Sequence, residues 1–147
     1  MKIRRAALLL AVMTLLMGLT PAAQADVTWV MKSRFNNYCL DYNPTDGVHT
    51  RPCNGGDFQR WDPTYYSDGS TRYMNVATKM CLDASEYGVR GWGCNDLNYQ
   101  RWTRSSFNAT EFQLLHQRSN HCLDMSEYGV RTVGCNGGMW QRWVRVN

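Results

Sequence analysis

Beyond residue 25 this 147-residue chain has no long apolar run, no stretch with an apolar period near 3.6 residues, and no Cys-x-x-Cys pair. The first absence argues against a transmembrane segment. The second argues against a helical architecture, and the third leaves zinc without its usual ligand spacing. The three histidines, His49, His116 and His121, are scattered, and no Ser/His/Asp or Cys/His arrangement suggests nucleophilic catalysis. Excess charge is also missing. The chain holds 16 Lys+Arg against 12 Asp+Glu, but three of the basic residues (Lys2, Arg4, Arg5) precede residue 26. The remainder is close to +1, so a basic footprint for nucleic acid mostly disappears.

Those first 25 residues read as a signal peptide. Lys2, Arg4 and Arg5 form a positive start, Ala6 to Leu19 carries no charge, and Ala23-Gln24-Ala25 is a small-x-small cleavage signal before Asp26. Arg4-Arg5 also permits a twin-arginine reading, with ordinary secretion preferred. The expectation is a secreted, extracellular protein whose residues 26–147 form one domain with a modest core.

What is abundant is repetition. Cys39-Leu40-Asp41, Cys53-Asn54 and Gln59-Arg60-Trp61 return as Cys81-Leu82-Asp83, Cys94-Asn95 and Gln100-Arg101-Trp102. They return again as Cys122-Leu123-Asp124, Cys135-Asn136 and Gln141-Arg142-Trp143. A period of about 41 residues describes one small unit built three times, over approximately 26–64, 65–105 and 106–147. Six cysteines permit fifteen pairings. Threefold repetition favours Cys39–Cys53, Cys81–Cys94 and Cys122–Cys135, each closing a loop worth about 3 kcal/mol in the chain-entropy model. Secretion makes such bridges permissible.

Short runs of β-formers, Val27-Thr28-Trp29-Val30, Arg72-Tyr73-Met74-Asn75-Val76 and Glu111-Phe112-Gln113-Leu114-Leu115, alternate with Gly, Asn, Asp and Pro. The fold class is therefore all-β, with a closed or pseudo-threefold barrel to hide its edges. Gln-Arg-Trp reads as a strand in which Gln and Trp share a face. Trp61, Trp102 and Trp143 are expected in the core rather than as sugar platforms, with Gln59, Gln100 and Gln141 satisfying nearby backbone groups. If each disulfide crosses an antiparallel pair directly, two residues inward Asp41 faces Arg51, Asp83 faces Trp92 and Asp124 faces Val133. Leu40, Leu82 and Leu123 then point to the core, and Gly47, Gly88 and Gly129 take positive φ in the hairpin turns. Each unit would present a carboxylate on a non-core face.

These residues resemble the ricin B-type lectins, whose fold is the β-trefoil, and within them the actinohivin-like secreted bacterial lectins. The resemblance spans residues 26–147, in three copies in register. It implies a sugar site in each unit, with an Asp accepting hydrogen bonds from vicinal hydroxyls, an aromatic ring stacking on the sugar, and an Asn orienting it. The chemistry is sound in itself, because a carboxylate offers two acceptor oxygens and an aromatic face shelters C–H groups.

Carried over residue by residue, unit two supplies Asp83, Trp92, Asn95 and Tyr99 and is the most complete. Unit one supplies Asp41, His49, Asn54 and Phe58, with His49 where the family type has a ring-bearing Tyr. Unit three supplies Asp124, Arg131, Asn136 and Trp140, with Arg131 in place of the aromatic and Val133 unable to stack. The sites are ranked two, one, three. A repeated Asp beside a turn also suits simple loop fixation by backbone N–H groups.

Ser85-Glu86-Tyr87-Gly88-Val89-Arg90 recurs unchanged as Ser126-Glu127-Tyr128-Gly129-Val130-Arg131. A shared ligand contact and recent duplication explain this equally. If the segment is functional, Arg90 and Arg131 hint at an acidic sugar or a protein carboxylate.

The implied function is a secreted, non-catalytic, multivalent lectin for glycans or glycoproteins, without metal or cofactor. The alternative is a protein-binding trefoil, an inhibitor or the targeting subunit of a secreted assembly. Sugar hydrolysis would need two facing carboxylates, and each unit offers one.

Overall fold

The computed structural model describes residues 27–146, so the leader, its cleavage signal and Asp26 lie outside the described residues. Unit one contributes β1 (Val30–Ser33), β2 (Cys39–Asn43), β3 (Gly47–Arg51) and β4 (Trp61–Tyr65). Unit two contributes β5 (Ser70–Asn75), β6 (Met80–Ser85), β7 (Gly88–Gly93) and β8 (Trp102–Ser106). Unit three contributes β9 (Glu111–His116), β10 (His121–Ser126), β11 (Gly129–Gly134) and β12 (Trp143–Val146). Between the third and fourth strands of each unit lies a 3₁₀ turn: Asp57–Gln59, Asn98–Gln100 and Met139–Gln141. Among the described residues no helix is long and apolar enough to cross a membrane.

Six strands close on themselves. β1 pairs antiparallel with β12, β12 with β9, β9 with β8, β8 with β5 and β5 with β4. A bridge between Trp29 and Trp61 returns β4 to β1, its two backbone bonds measuring 2.6 and 2.8 Å. Closure removes the exposed edges that six short strands would otherwise leave. The hairpins β2–β3, β6–β7 and β10–β11 cap one end, with β3, β7 and β11 meeting one another. This is the expected β-trefoil. The expected strand at 27–30 begins only at Val30, with Trp29 in the closing bridge, and the other two run Ser70–Asn75 and Glu111–His116.

Trp61, Trp102 and Trp143 are fully buried, one per unit, against Leu40, Leu82 and Leu123. Burying an indole removes its N–H from water, and an unpaired one would forfeit much of the apolar gain. Each Nε1–H therefore donates to the carbonyl of its own unit's leucine, at 3.1, 2.9 and 3.1 Å.

The Gln-Arg-Trp strand is a correction. Gln59, Gln100 and Gln141 end the 3₁₀ turns, and each strand starts only at the Trp. The turn tucks Gln and Trp inward together while the intervening Arg60, Arg101 and Arg142 stay half-exposed. From there the Gln amides do the expected work. Their Oε1 atoms accept the N–H of Asn54, Asn95 and Asn136 at 2.9, 2.9 and 2.8 Å. Their Nε2 atoms donate to the carbonyls of Pro52, Gly93 and Gly134 at 3.1, 2.9 and 2.9 Å.

All three disulfides are formed inside their units, Cys39–Cys53, Cys81–Cys94 and Cys122–Cys135. They do not join directly opposed residues. Cys39 lies opposite Arg51, Cys81 opposite Trp92 and Cys122 opposite Val133. The second cysteine follows two residues later, past the end of the strand in every unit. Gly47, Gly88 and Gly129 open the return strands at φ of 75°, 95° and 91°, a left-handed conformation that side chains resist.

Candidate functional site

The two-residue offset of the disulfides resets which side chains meet. Asp41 faces His49, Asp83 faces Arg90 and Asp124 faces Arg131; the expected partners Arg51, Trp92 and Val133 sit one diagonal further along the same face. Arg90, expected only as a contact for an acidic sugar or a protein carboxylate, is instead the partner of Asp83. The signal for this was present in the sequence: Arg90 follows Gly88 by two positions, as His49 follows Gly47 and Arg131 follows Gly129.

The carboxylates are not outward-facing. Asp41, Asp83 and Asp124 are only 3%, 2% and 1% exposed, lying beneath His49, Arg90 and Arg131. Backbone amides are not what holds them. In unit two, Arg90 Nε donates to Asp83 Oδ1 at 2.9 Å, and Gln100 Nε2 donates to Oδ2 at 3.2 Å. In unit three, Arg131 Nε donates to Asp124 Oδ1 at 3.1 Å. A buried carboxylate requires such pairing, since desolvating it alone costs several kcal/mol. The recurrence of Arg90 in Arg131 thus has a structural use.

Unit one is built differently. His49 Nδ1 lies 2.8 Å from the Gly47 carbonyl, which can only accept, so Nδ1 carries the proton. Nε2 then accepts from Arg51 Nε at 2.6 Å. Arg51 also binds Asp46, whose carboxyl is held below its ordinary pKa chiefly by a hydrogen bond from Asn43. Asp41 Oδ1, 3.3 Å from the same imidazole nitrogen, has no donor among the described residues.

The aromatic residues frame the carboxylates. Trp92 is 52% exposed, and the Arg90 guanidinium lies 4.1 Å from its ring centroid. Phe58 and Trp140 are exposed, and Tyr99 is half-buried. Asn54, Asn95 and Asn136 use their side-chain oxygens to accept the N–H of Gly56, Leu97 and Gly138, at 2.8, 2.9 and 2.7 Å. Those Asx turns shape the loop before each 3₁₀ turn.

Unit two brings its four expected residues together. A cleft of about 260 Å³ is lined by Asp83, Arg90, Trp92, Asn95, Leu97 and Tyr99. It combines an exposed indole, a phenol and a guanidinium whose position is fixed by a buried carboxylate. Such a site suits a polar ligand with an apolar face. No cluster of metal-ligating side chains occurs among the described residues.

The family model described as the ricin-type beta-trefoil lectin domain matches residues 28–143. No curated protein sequence matches the chain. Among solved structures, ThreeFoil, a designed threefold-symmetric protein, is similar at 21% identity and a TM-score of 0.75, over 82% of this chain and 98% of its own. The Macrolepiota procera ricin B-like lectin, solved in complex with lactose, is similar at 16% identity and a TM-score of 0.69, over 82% and 94%. The hemolytic lectin CEL-III is similar at 29% identity and a TM-score of 0.69, over 83% of this chain but 31% of its own.

Proposed function

Because the chain belongs to the ricin-type β-trefoil lectin family, we propose that it is a secreted, non-catalytic carbohydrate-binding protein whose principal site is the cleft of unit two. The observation that carries this reading is the exposed Trp92 beside the anchored Arg90 and the buried Asp83, in one cleft with Asn95 and Tyr99. Trp92 supplies the apolar platform and Tyr99 a second wall. The terminal nitrogens of Arg90 offer donors to sugar oxygens, while Asp83 holds the guanidinium in place. Units one and three are secondary sites, through His49, Asn54 and Phe58 above the buried Asp41, and through Arg131, Asn136 and Trp140 above the buried Asp124. Weak sites linked in one rigid body gain avidity on a multivalent glycan without any new contact.

Binding the mature chain to a glycan array tests the reading. Wild-type protein should mark a defined set of glycans, and Trp92→Ala should lose most of that signal. Uniformly blank arrays would remove the lectin reading. In that case the exposed Leu97, Met139 and Trp140 would favour a protein partner instead, recognised by these apolar side chains.

A further inference from the structure

The unit-two cleft does not stand alone. On the far side of Tyr99 lies a second cleft of about 390 Å³, walled by Glu86, Tyr99, Arg118, His121 and Thr132, with the buried His116 at its base. Ser85, Glu86 and Tyr99 line both clefts. The first falls below the roughly 300–1,000 Å³ of ordinary small-molecule sites, whereas the two together lie inside it.

The pseudo-threefold repeat supplies an internal comparison. His116, Arg118 and His121 occupy the positions of Asn75, Ala77 and Met80 at the junction of units one and two, and of Ser33, Phe35 and Tyr38 at the junction of units three and one. Asn37, Lys79 and Asn120, all at φ near 60°, fix this register. At the last junction Phe35 packs edge-on against Trp140, the counterpart of Tyr99, with centroids 5.7 Å apart. At the second, Arg118 stands 5.4 Å from the Tyr99 centroid and the space beside it is open.

The shared wall is also braced. His116 Nε2 donates to the Tyr99 carbonyl at 3.0 Å, and its Nδ1 lies 2.9 Å from Ser119 Oγ. Ser119 Oγ in turn accepts the His121 N–H at 3.3 Å. One imidazole thus ties the 3₁₀ turn bearing Tyr99 to the loop bearing Arg118. A preorganised wall loses little entropy when a ligand lies along it.

We propose that the second cleft, at the junction of units two and three, is an extended subsite through which the chain binds an oligosaccharide of two or three residues rather than one sugar. This rests on the lectin reading of unit two and adds the ligand's length. One residue stacks at Trp92, and the chain continues over Tyr99 to the donors of Arg118 and His121.

Titration calorimetry with methyl glycosides of galactose, mannose and N-acetylglucosamine, and with the di- and trisaccharides built on each, tests it. For the sugar that binds, the trisaccharide should bind about tenfold more tightly than the monosaccharide, the equivalent of one or two added hydrogen bonds. Arg118→Phe, which copies the residue of the third junction, should erase that difference and leave monosaccharide affinity unchanged. Thr132→Tyr should do the same from the opposite wall, so the outcome does not hang on one variant. In the wild type, the ring NMR signals of His116 and His121 should move with the trisaccharide and not with the monosaccharide. Equal affinities for all lengths, or an undiminished length preference in both variants, would overturn the subsite and leave the unit-two site standing. No binding to any of these sugars or to an array would overturn both.

Discussion

Arg90 donates its Nε–H to a carboxylate oxygen of Asp83 at 2.9 Å, across the antiparallel ladder of β6 and β7. The pair is lopsided: Asp83 is 2% exposed, while the Arg90 side chain retains 31% of its surface. Truncating the two partners should therefore have unequal effects. Arg90→Ala strands a buried carboxylate and should cost about 3 kcal/mol. Asp83→Asn leaves a guanidinium that water can reach and should cost about 1 kcal/mol. Urea unfolding of the two variants checks the order, and equal losses would contradict it.

Trp92 should divide stability from binding. Half its surface is already in water, and its cation–π contact with Arg90 is worth on the order of 0.5–1 kcal/mol at such a site. Trp92→Ala should shift stability by no more than about 1 kcal/mol and weaken sugar affinity about tenfold or more. Melting curves and calorimetry on one preparation read both quantities.

Gly91 is a packing requirement of the cap. A Cβ there would lie inside van der Waals contact of the Tyr42 ring, which β2 brings across from unit one. Gly91→Ala should cost about 1–3 kcal/mol through overpacking. Tyr42→Leu should restore part of that loss in the double variant, a coupling that a double-mutant cycle measures.

Burial of His116 pushes its pKa below the ordinary value of 6.5. The folded state holds the proton less readily than the unfolded chain. The stability this neutral imidazole provides is therefore complete above pH 6.5 and declines as pH falls through the lowered folded value. His116→Asn should remove that part of the acid dependence. Asn75, at the matching position of unit two, donates to the Phe58 carbonyl at 2.8 Å as His116 does to that of Tyr99. Thermal melts between pH 7.5 and about 5 compare the two proteins.

Much of this architecture is legible in the sequence because the same residues are written three times. The bridges, the buried tryptophans, the leucines behind them and the hairpin glycines each answer a local demand that a single unit states completely. The disulfide spacing alone does not give the pairing of Asp83, since covalent linkage between two cysteines does not establish that they oppose each other in a ladder. Here the second cysteine sits beyond the strand, and every partner moves by two. The 3₁₀ turn before each Trp was hidden for a related reason. Both strand and turn place Gln and Trp on the buried side, so burial alone cannot distinguish them. The second cleft arises between units, where His116, Arg118 and His121 depart from the pattern and only tertiary structure brings them to Tyr99.

The pairing of β1 with β12 sets Val30 opposite Val146, so the first and last strands of the described residues lie side by side. A short peptide joining them would leave every barrel strand in place, and the chain could then be reopened at the exposed Glu86–Tyr87 turn or its counterpart Glu127–Tyr128. The molecule is in that sense a ring cut at one of several interchangeable points, suited to circular permutation and to insertion whole into a loop of another protein.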